Sequence, residues 1–369
     1  MMIGREKKGS ASVCDMTEIS IVEKRIHMNI SSSKLPYLRF ELQFTLAKSN
    51  NRQARRVSSV DNGEATYFGP RLRRLLGPQL AQLSCPCPPP ICRRGSVKGP
   101  NAALAPSLCL LADTCAFGVL FAKSRAGKIA GGVNALSPFS LHVPAVSQLD
   151  GFTYVEMTLY ASAWPFYLPM VAACARIFSS GIGRERERYR LRAVHQVKAN
   201  GDHEMLCDDD LAHILRTVEP DYLDTVLLSQ NNDNGPVSVA LQSPTRLLVD
   251  SKLQKGDTPL SFPVLIESIL SKLRDHYGQE AESLLPGGSA AALREQAKGV
   301  VINGSDLRWM DIPDNDRNTR SSRLLGGKIG QLTFNEVAGR FLPLLKVGEI
   351  LHIGKNAASG CGRIAVIEA

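Results

Sequence analysis

The stretch LHIGKNAASGCGRIAV, residues Leu351 to Val366, decides how the rest of this 369-residue chain is read. It predicts a short apolar strand, then a loop carrying Gly354, Gly360 and Gly362 with Lys355 and Arg363 beside them, then a second apolar strand. Glycine allows a positive φ and a close approach to another molecule, because no Cβ stands in the way. Successive N–H groups in such a loop make an anion-binding concavity, and two neighbouring cations favour phosphate. A shorter relative, Gly181-Ile182-Gly183-Arg184, stands in the first half and matches Gly360-Cys361-Gly362-Arg363.

The two halves share one order: a strand, a helix, middle strands, another helix, a glycine pair with arginine, and a closing strand. This predicts an α+β fold of tandem ferredoxin-like (RRM-like, βαββαβ) domains. Residues 1–34 read as a flexible extension and 35–199 as the first domain, with a cysteine-bearing insertion over 84–122. Residues 200–236 read as a linker with a short helix at Asp210 to Val218, and 237–369 as the second domain. The glycines end each unit instead of joining a first strand to its helix, which excludes a Rossmann fingerprint, and no Ser or Thr follows Lys355 as a Walker A loop requires.

In the first half, Leu38 to Phe44 alternates apolar and polar residues, the mark of a half-buried strand. The following helix, Thr66 to Leu83, has Phe68, Leu72, Leu75, Leu76, Leu80 and Leu83 on one stripe and Arg71, Arg73 and Arg74 elsewhere. Gly77-Pro78 predicts a kink or split in it. A strand over Tyr154 to Ala161 and a helix over Trp164 to Phe178 come next. Read as a strand, the segment after them points Arg184, Arg186, Arg188, Arg190 and Arg192 to one face, with Tyr189, Leu191, Ala193 and Val197 on the other. Alternate side chains stand about 6.6 Å apart, close to the phosphate spacing of an extended single strand. A solvated arginine face, partly neutralised by Glu185 and Glu187, is the plainer alternative.

The second half opens with a strand from Val237 to Leu248 interrupted at Ser243-Pro244, followed by helices over Pro263 to Tyr277 and Ala290 to Lys298. Strands are expected at Gly299 to Ile302 and Leu307 to Met310. A glycine-bent strand at Leu325 to Leu332 and a last helix at Asn335 to Leu345 complete the reading.

Lys and Arg number 44 against 35 acidic residues, a formal charge of +9. That excess favours polyanionic partners, nucleic acid first and a membrane surface second. No run reaches the roughly 18–20 apolar residues of a transmembrane helix and the first residues lack a signal-peptide core, so a soluble, cytoplasmic protein is expected. The nine cysteines do not read as a disulfide scaffold. Cys85, Cys87, Cys92, Cys109 and Cys115 share the insertion, where four thiolates could hold a structural zinc or simply pack beneath a loop.

The closing LHIGKNAASGCGRIAV and the preceding RLLGGKIGQLTF, with YFGPRLRRLLGPQL, TCAFGVLFA, SGIGRERERYRLRAV and LQSPTRLLV in that chain order, resemble one family. It is the CRISPR-associated endoribonucleases of the RAMP superfamily, which process precursor CRISPR RNA. The resemblance implies paired ferredoxin-like domains and a Gly354–Gly362 loop that contacts RNA. It also implies cleavage within each repeat with no metal cofactor for catalysis; the enzyme is then expected to keep its product and join other subunits of an effector complex. The RNA-binding residues expected are Gly354, Lys355, Gly360, Gly362, Arg363, Arg71, Arg74 and the arginines at 184, 186, 188, 190 and 192. Such cleavage sends a ribose 2′-OH onto the adjacent phosphate and leaves a 2′,3′-cyclic phosphate and a 5′-OH, so it needs a base, an acid and cations.

Relatives often carry a catalytic histidine on or near the helix after the first strand, and Thr66 to Leu83 has none. His352, just before the loop, is the first candidate for proton transfer, with a loop-holding role as its alternative. Tyr67 is the second, though its ordinary pKa of about 10 demands help; His27 enters only if the extension folds over the site. The missing helix histidine also suits a non-catalytic RNA-binding subunit of the same superfamily. A small metalloprotein built on the cysteines is the more distant alternative.

Overall fold

Alternation of apolar and polar residues makes the first strand, β1 (Pro36–Leu46): Leu38, Phe40, Leu42 and Phe44 are buried, and Arg39, Glu41 and Gln43 lie half-buried on the other face. The computed structural model describes residues 34–47, 68–85, 111, 114–122, 137–143, 152–182, 187–208, 218–228, 235–249, 252–253, 260–286, 289–316 and 321–368. Apart from Lys34, the expected extension over 1–34 lies outside the described residues.

After β1 come α1 (Gly69–Ser84), β2 (Phe139–His142), β3 (Phe152–Tyr160), α2 (Tyr167–Ser180), β4 (Tyr189–Val197), β5 (His203–Cys207), β6 (Asp221–Tyr222) and α3 (Leu223–Leu227). The sheet runs β2-β3-β1-β4-β5, antiparallel throughout, with β6 against the start of β1. Its first four members have the strand order of a ferredoxin-like unit. Helices α1 and α2 cover one face, where Phe44 stacks on Phe178 at 4.0 Å between centroids. Leu72, Leu76 and Leu80 of α1 are fully buried. The helix is not split: it runs on through Pro78, because the leucine stripe on either side is anchored in the core and Gly77 lets Phe121 close against it.

Two expectations in this half need correction. The arginine-bearing strand starts at Tyr189, not at Arg184, so only Arg190 and Arg192 project from it. Arg188 precedes it as an exposed residue, and Arg184 and Arg186 lie outside the described residues. The segment 200–236 is also more than a linker. Asn200-Gly201, with Gly201 at φ 88°, turns the chain back so that β5 pairs with β4, and β6 then joins β1. Of the helix expected at Asp210 to Val218, only Val218 is described.

The second half comprises β7 (Val237–Thr245), β8 (Leu248–Val249), β9 (Lys252–Leu253), α4 (Phe262–Tyr277), α5 (Ala290–Ala297), β10 (Ile302–Met310), β11 (Pro313–Asp316), β12 (Ser321–Leu324), β13 (Gly327–Phe334), α6 (Leu342–Leu351) and β14 (Ile364–Glu368). Its main sheet runs β10-β13-β7-β14, the same order as in the first half. The chain is thus an α+β protein with two ferredoxin-like sheets. β7 passes unbroken through Ser243-Pro244, because a register shift opposite it, between Lys328 and Gly330, removes the need for the proline to donate to the ladder. The two strands expected at 299–310 are one, β10. The last helix extends to Leu351, which replaces the short strand expected there. Val347, Gly348, Ile350 and Leu351 are all buried, so the apolar run belongs to a nearly enclosed helix.

The two sheets form one compact unit. Tyr160 of β3 reaches the second core, its Oη 2.7 Å from Ser140 Oγ and 3.0 Å from the Ile350 carbonyl. Tyr277 of α4 donates to the Pro36 carbonyl at 2.9 Å. Among the described residues no helix is long and apolar enough to cross a membrane.

Candidate functional site

The glycine-rich loop joins α6 to β14 and is held almost entirely by the protein itself. Gly354 has φ 73°, and a Cβ there would stand 2.3 Å from the Arg246 carbonyl oxygen. Gly362 has φ 80°, and a Cβ there would stand 1.9 Å from the Ile353 carbonyl oxygen. Both positions exclude a side chain for internal reasons. The loop's amides are largely committed as well: Gly354 N–H donates to Ser268 Oγ at 2.7 Å, Lys355 N–H to the Arg246 carbonyl at 2.9 Å and Gly362 N–H to the Pro244 carbonyl at 3.2 Å. Its tip, Ala357 to Ser359, is buried against β2 and the start of α1. The Ser359 carbonyl oxygen would lie 2.3 Å from a Cβ at Gly69.

What the loop offers to solvent is charge. Lys355 is exposed and Arg246, bridged to it, is half-buried. Lys272, one turn after Ser268 on α4, is 6% exposed, and burial together with the charge of Lys355 lowers its pKa to about 8. No ion pair ties any of the three to an acid among the described residues. Unpaired cations gathered this closely suit an anion better than water alone.

On its other side the loop ends in a buried ion cluster. Glu156 of β3 accepts from Arg39 Nε at 2.9 Å and Nη2 at 3.0 Å, and from Arg363 Nη1. Arg363 Nε donates to Gln242 Oε1 at 2.9 Å. Burial alone would raise the Glu156 carboxyl; the two guanidiniums outweigh it and bring the pKa to about 2. Arg363 is therefore a clamp between the two sheets as much as a loop cation.

The other sequence-derived candidates are scattered. His352 is 1% exposed, with Nδ1 3.3 Å from the Cys361 carbonyl, and burial and Arg363 hold its pKa well below the usual histidine value. It packs beneath the loop and faces no solvent. Tyr67 lies outside the described residues. Arg71 is exposed over the Phe68 ring, whereas Arg74 forms an ion pair with Asp314. Cys87, Cys92 and Cys109 lie outside the described residues, Cys85 and Cys115 are half-buried, and among the described residues no group of His, Cys, Asp or Glu could hold a metal ion.

Sequence reasoning missed Arg39, Glu156 and His142. The signal for His142 was the alternation of Phe139-Ser140-Leu141-His142, which puts the histidine on the face opposite the core. Its pKa is lowered to about 4 by burial and then by Arg363, with Glu156 opposing.

Residues 239–364 match the model of a family described as CRISPR-associated endoribonuclease Cas6. Residues 65–219 match a second family model, described only as an N-terminal domain. A comparison with curated proteins finds no match. Among solved structures, one Cas6 product complex is similar at 14% identity and TM-score 0.49, covering 90% of this chain and 100% of that one. A second Cas6 product complex is similar at 12% identity and TM-score 0.47, with the same coverage. A partial Cas6-RT-Cas1–Cas2 complex is similar at 12% identity and TM-score 0.49, and there the match covers 91% of this chain but 47% of that one.

Proposed function

We propose that this chain, whose residues 239–364 match the model of the CRISPR-associated endoribonuclease Cas6 family, cleaves precursor CRISPR RNA within its repeats. The family match, which contains β7, α4 and the glycine-rich loop, is the observation that carries the proposal. Cleavage proceeds by attack of a ribose 2′-OH on the neighbouring phosphate, leaving 2′,3′-cyclic phosphate and 5′-OH ends, and requires no metal ion. The RNA backbone is the anion that Lys355, Arg246 and Lys272 await. Arg188, Arg190, Arg192 and Arg71 are exposed and offer further phosphate contacts. The partners are the repeat RNA, its mature product and other subunits of a CRISPR effector complex.

Incubating the full-length protein with its own repeat RNA in EDTA tests this reading. Cleavage to cyclic-phosphate ends supports it, and intact RNA that still binds overturns it. The burial of His352 favours one other reading, a non-catalytic RNA-binding subunit, and the same assay separates the two.

A further inference from the structure

Among the described residues one histidine combines an open ring with a place beside the glycine-rich loop. His142 pairs across the ladder with Glu156, so their side chains share a face of the first sheet, and Tyr154, two residues before Glu156, shares it too. The His142 and Tyr154 ring centroids are 6.1 Å apart. The preceding carbonyl, that of Leu141, backs the loop at 3.8 Å from where a Gly360 Cβ would stand. Glu156 in turn holds Arg363, so a guanidinium, an aromatic hydroxyl and an imidazole converge where the loop meets β2 and β3.

The other described histidines are placed differently. His352 is buried and engaged with the Cys361 carbonyl. His276 Nε2 and His195 Nδ1 are sealed from solvent without partners. His203 is exposed on β5, beside His195 and away from the loop. His142 is half-buried, makes no hydrogen bond among the described residues, and has neither ring nitrogen sealed off.

We infer that His142 is the general base of RNA cleavage, taking the 2′ proton of a ribose whose phosphate lies between Arg363 and the glycine-rich loop. The inference rests on the nuclease reading above. In the step, the 2′ oxygen gives its proton to the imidazole and bonds to phosphorus. The bond from phosphorus to the 5′ oxygen breaks, its electron pair stays on that oxygen, and the oxygen takes a proton from water. The imidazolium then returns its proton to the hydroxide so formed. In sum one proton passes from the 2′ to the 5′ oxygen, the water is regenerated and no electrons are transferred, so no further reactant is needed.

The surroundings suit a base. Tyr154 packs its ring against the imidazole, and Glu156 from β3, Arg39 from β1, Arg363 from the loop and His352 from the end of α6 are close enough to act on it electrostatically. Burial and Arg363 keep the imidazole neutral down to a pH of about 4.

Single-turnover cleavage by the full-length protein tests the inference, with a labelled synthetic RNA of one CRISPR repeat in EDTA. The wild-type rate is expected to hold from neutral pH down to about 5 and to fall toward 4. His142→Gln should slow cleavage about 100-fold or more, leave RNA affinity within about threefold and flatten the acid limb. Added imidazole should restore part of the activity of His142→Gly. A His142→Gln enzyme that cuts within about threefold of the wild-type rate overturns the inference, as does a parallel loss of binding and cutting. Should that variant fail to fold, a wild-type acid limb centred between pH 6 and 7 overturns it, because that is the range of an unperturbed histidine. Wild-type protein that binds the RNA and leaves it whole overturns the nuclease reading itself.

Discussion

Arg363, at the exit of the glycine-rich loop, donates to Glu156 of the first sheet, so a single ion pair fixes the loop's end to the opposite half of the molecule. Arg39 grips the same carboxylate with two hydrogen bonds. The glycine loop, β3 and β1 are therefore mechanically one piece at this point. Arg363→Ala should cost about 3–5 kcal/mol of stability, since it strips one of its two guanidiniums from a buried carboxylate. Urea denaturation at neutral pH measures it.

The same cluster sets an acid limit. Glu156 is held near pKa 2, below its ordinary 4.5, so its stabilisation is complete above pH 4.5 and is lost as pH falls toward 2. The difference corresponds to about 3 kcal/mol. Glu156→Gln should be less stable than wild type at pH 7, and the gap should narrow on acidification between those values. Melting temperatures of the two proteins across that range check this.

Gly362→Ala should distort the loop. Its Cβ would fall within 1.9 Å of the Ile353 carbonyl oxygen at a φ of 80°, so the backbone must move. Both strain and clash oppose the change, and a loss of about 2–4 kcal/mol follows. Thermal denaturation reads the loss, and RNA binding should fall with it.

Lys355→Ala should instead leave the fold intact, because the side chain is exposed and makes no ion pair among the described residues. It should weaken RNA binding at all sequences alike and reduce the salt slope of the affinity by about 1. Filter binding over a series of salt concentrations gives that slope. An unchanged slope would mean that the Lys355 cluster does not meet the phosphates.

Much of the fold was legible because periodicity reports burial directly. The alternation of Leu38 to Phe44 and the stripe from Leu72 to Leu80 became β1 and α1 nearly where expected. The duplicated order of elements likewise gave the two ferredoxin-like sheets. Short signals misled where context decided. Leu351 read as the start of a strand, but it closes a helix whose apolar residues are buried on nearly every side. Asn200-Gly201 was a hairpin signal overlooked within a polar stretch. At the site, the positions of the glycines were readable and their work was not. Gly354 and Gly362 admit neighbouring carbonyls of the same chain, which only three dimensions reveal. Glu156 and His142 stood in ordinary strands, and nothing local marks a residue whose partners are distant in sequence.

Incubation of the purified full-length protein with its own CRISPR repeat RNA, in EDTA and with the ends of the products analysed, tests the nuclease function most directly. Cleavage at one position per repeat, with a 2′,3′-cyclic phosphate on one fragment and a 5′-OH on the other, is the expected result. RNA that is bound and remains uncut, or that is cut only when a divalent metal is supplied, would contradict it.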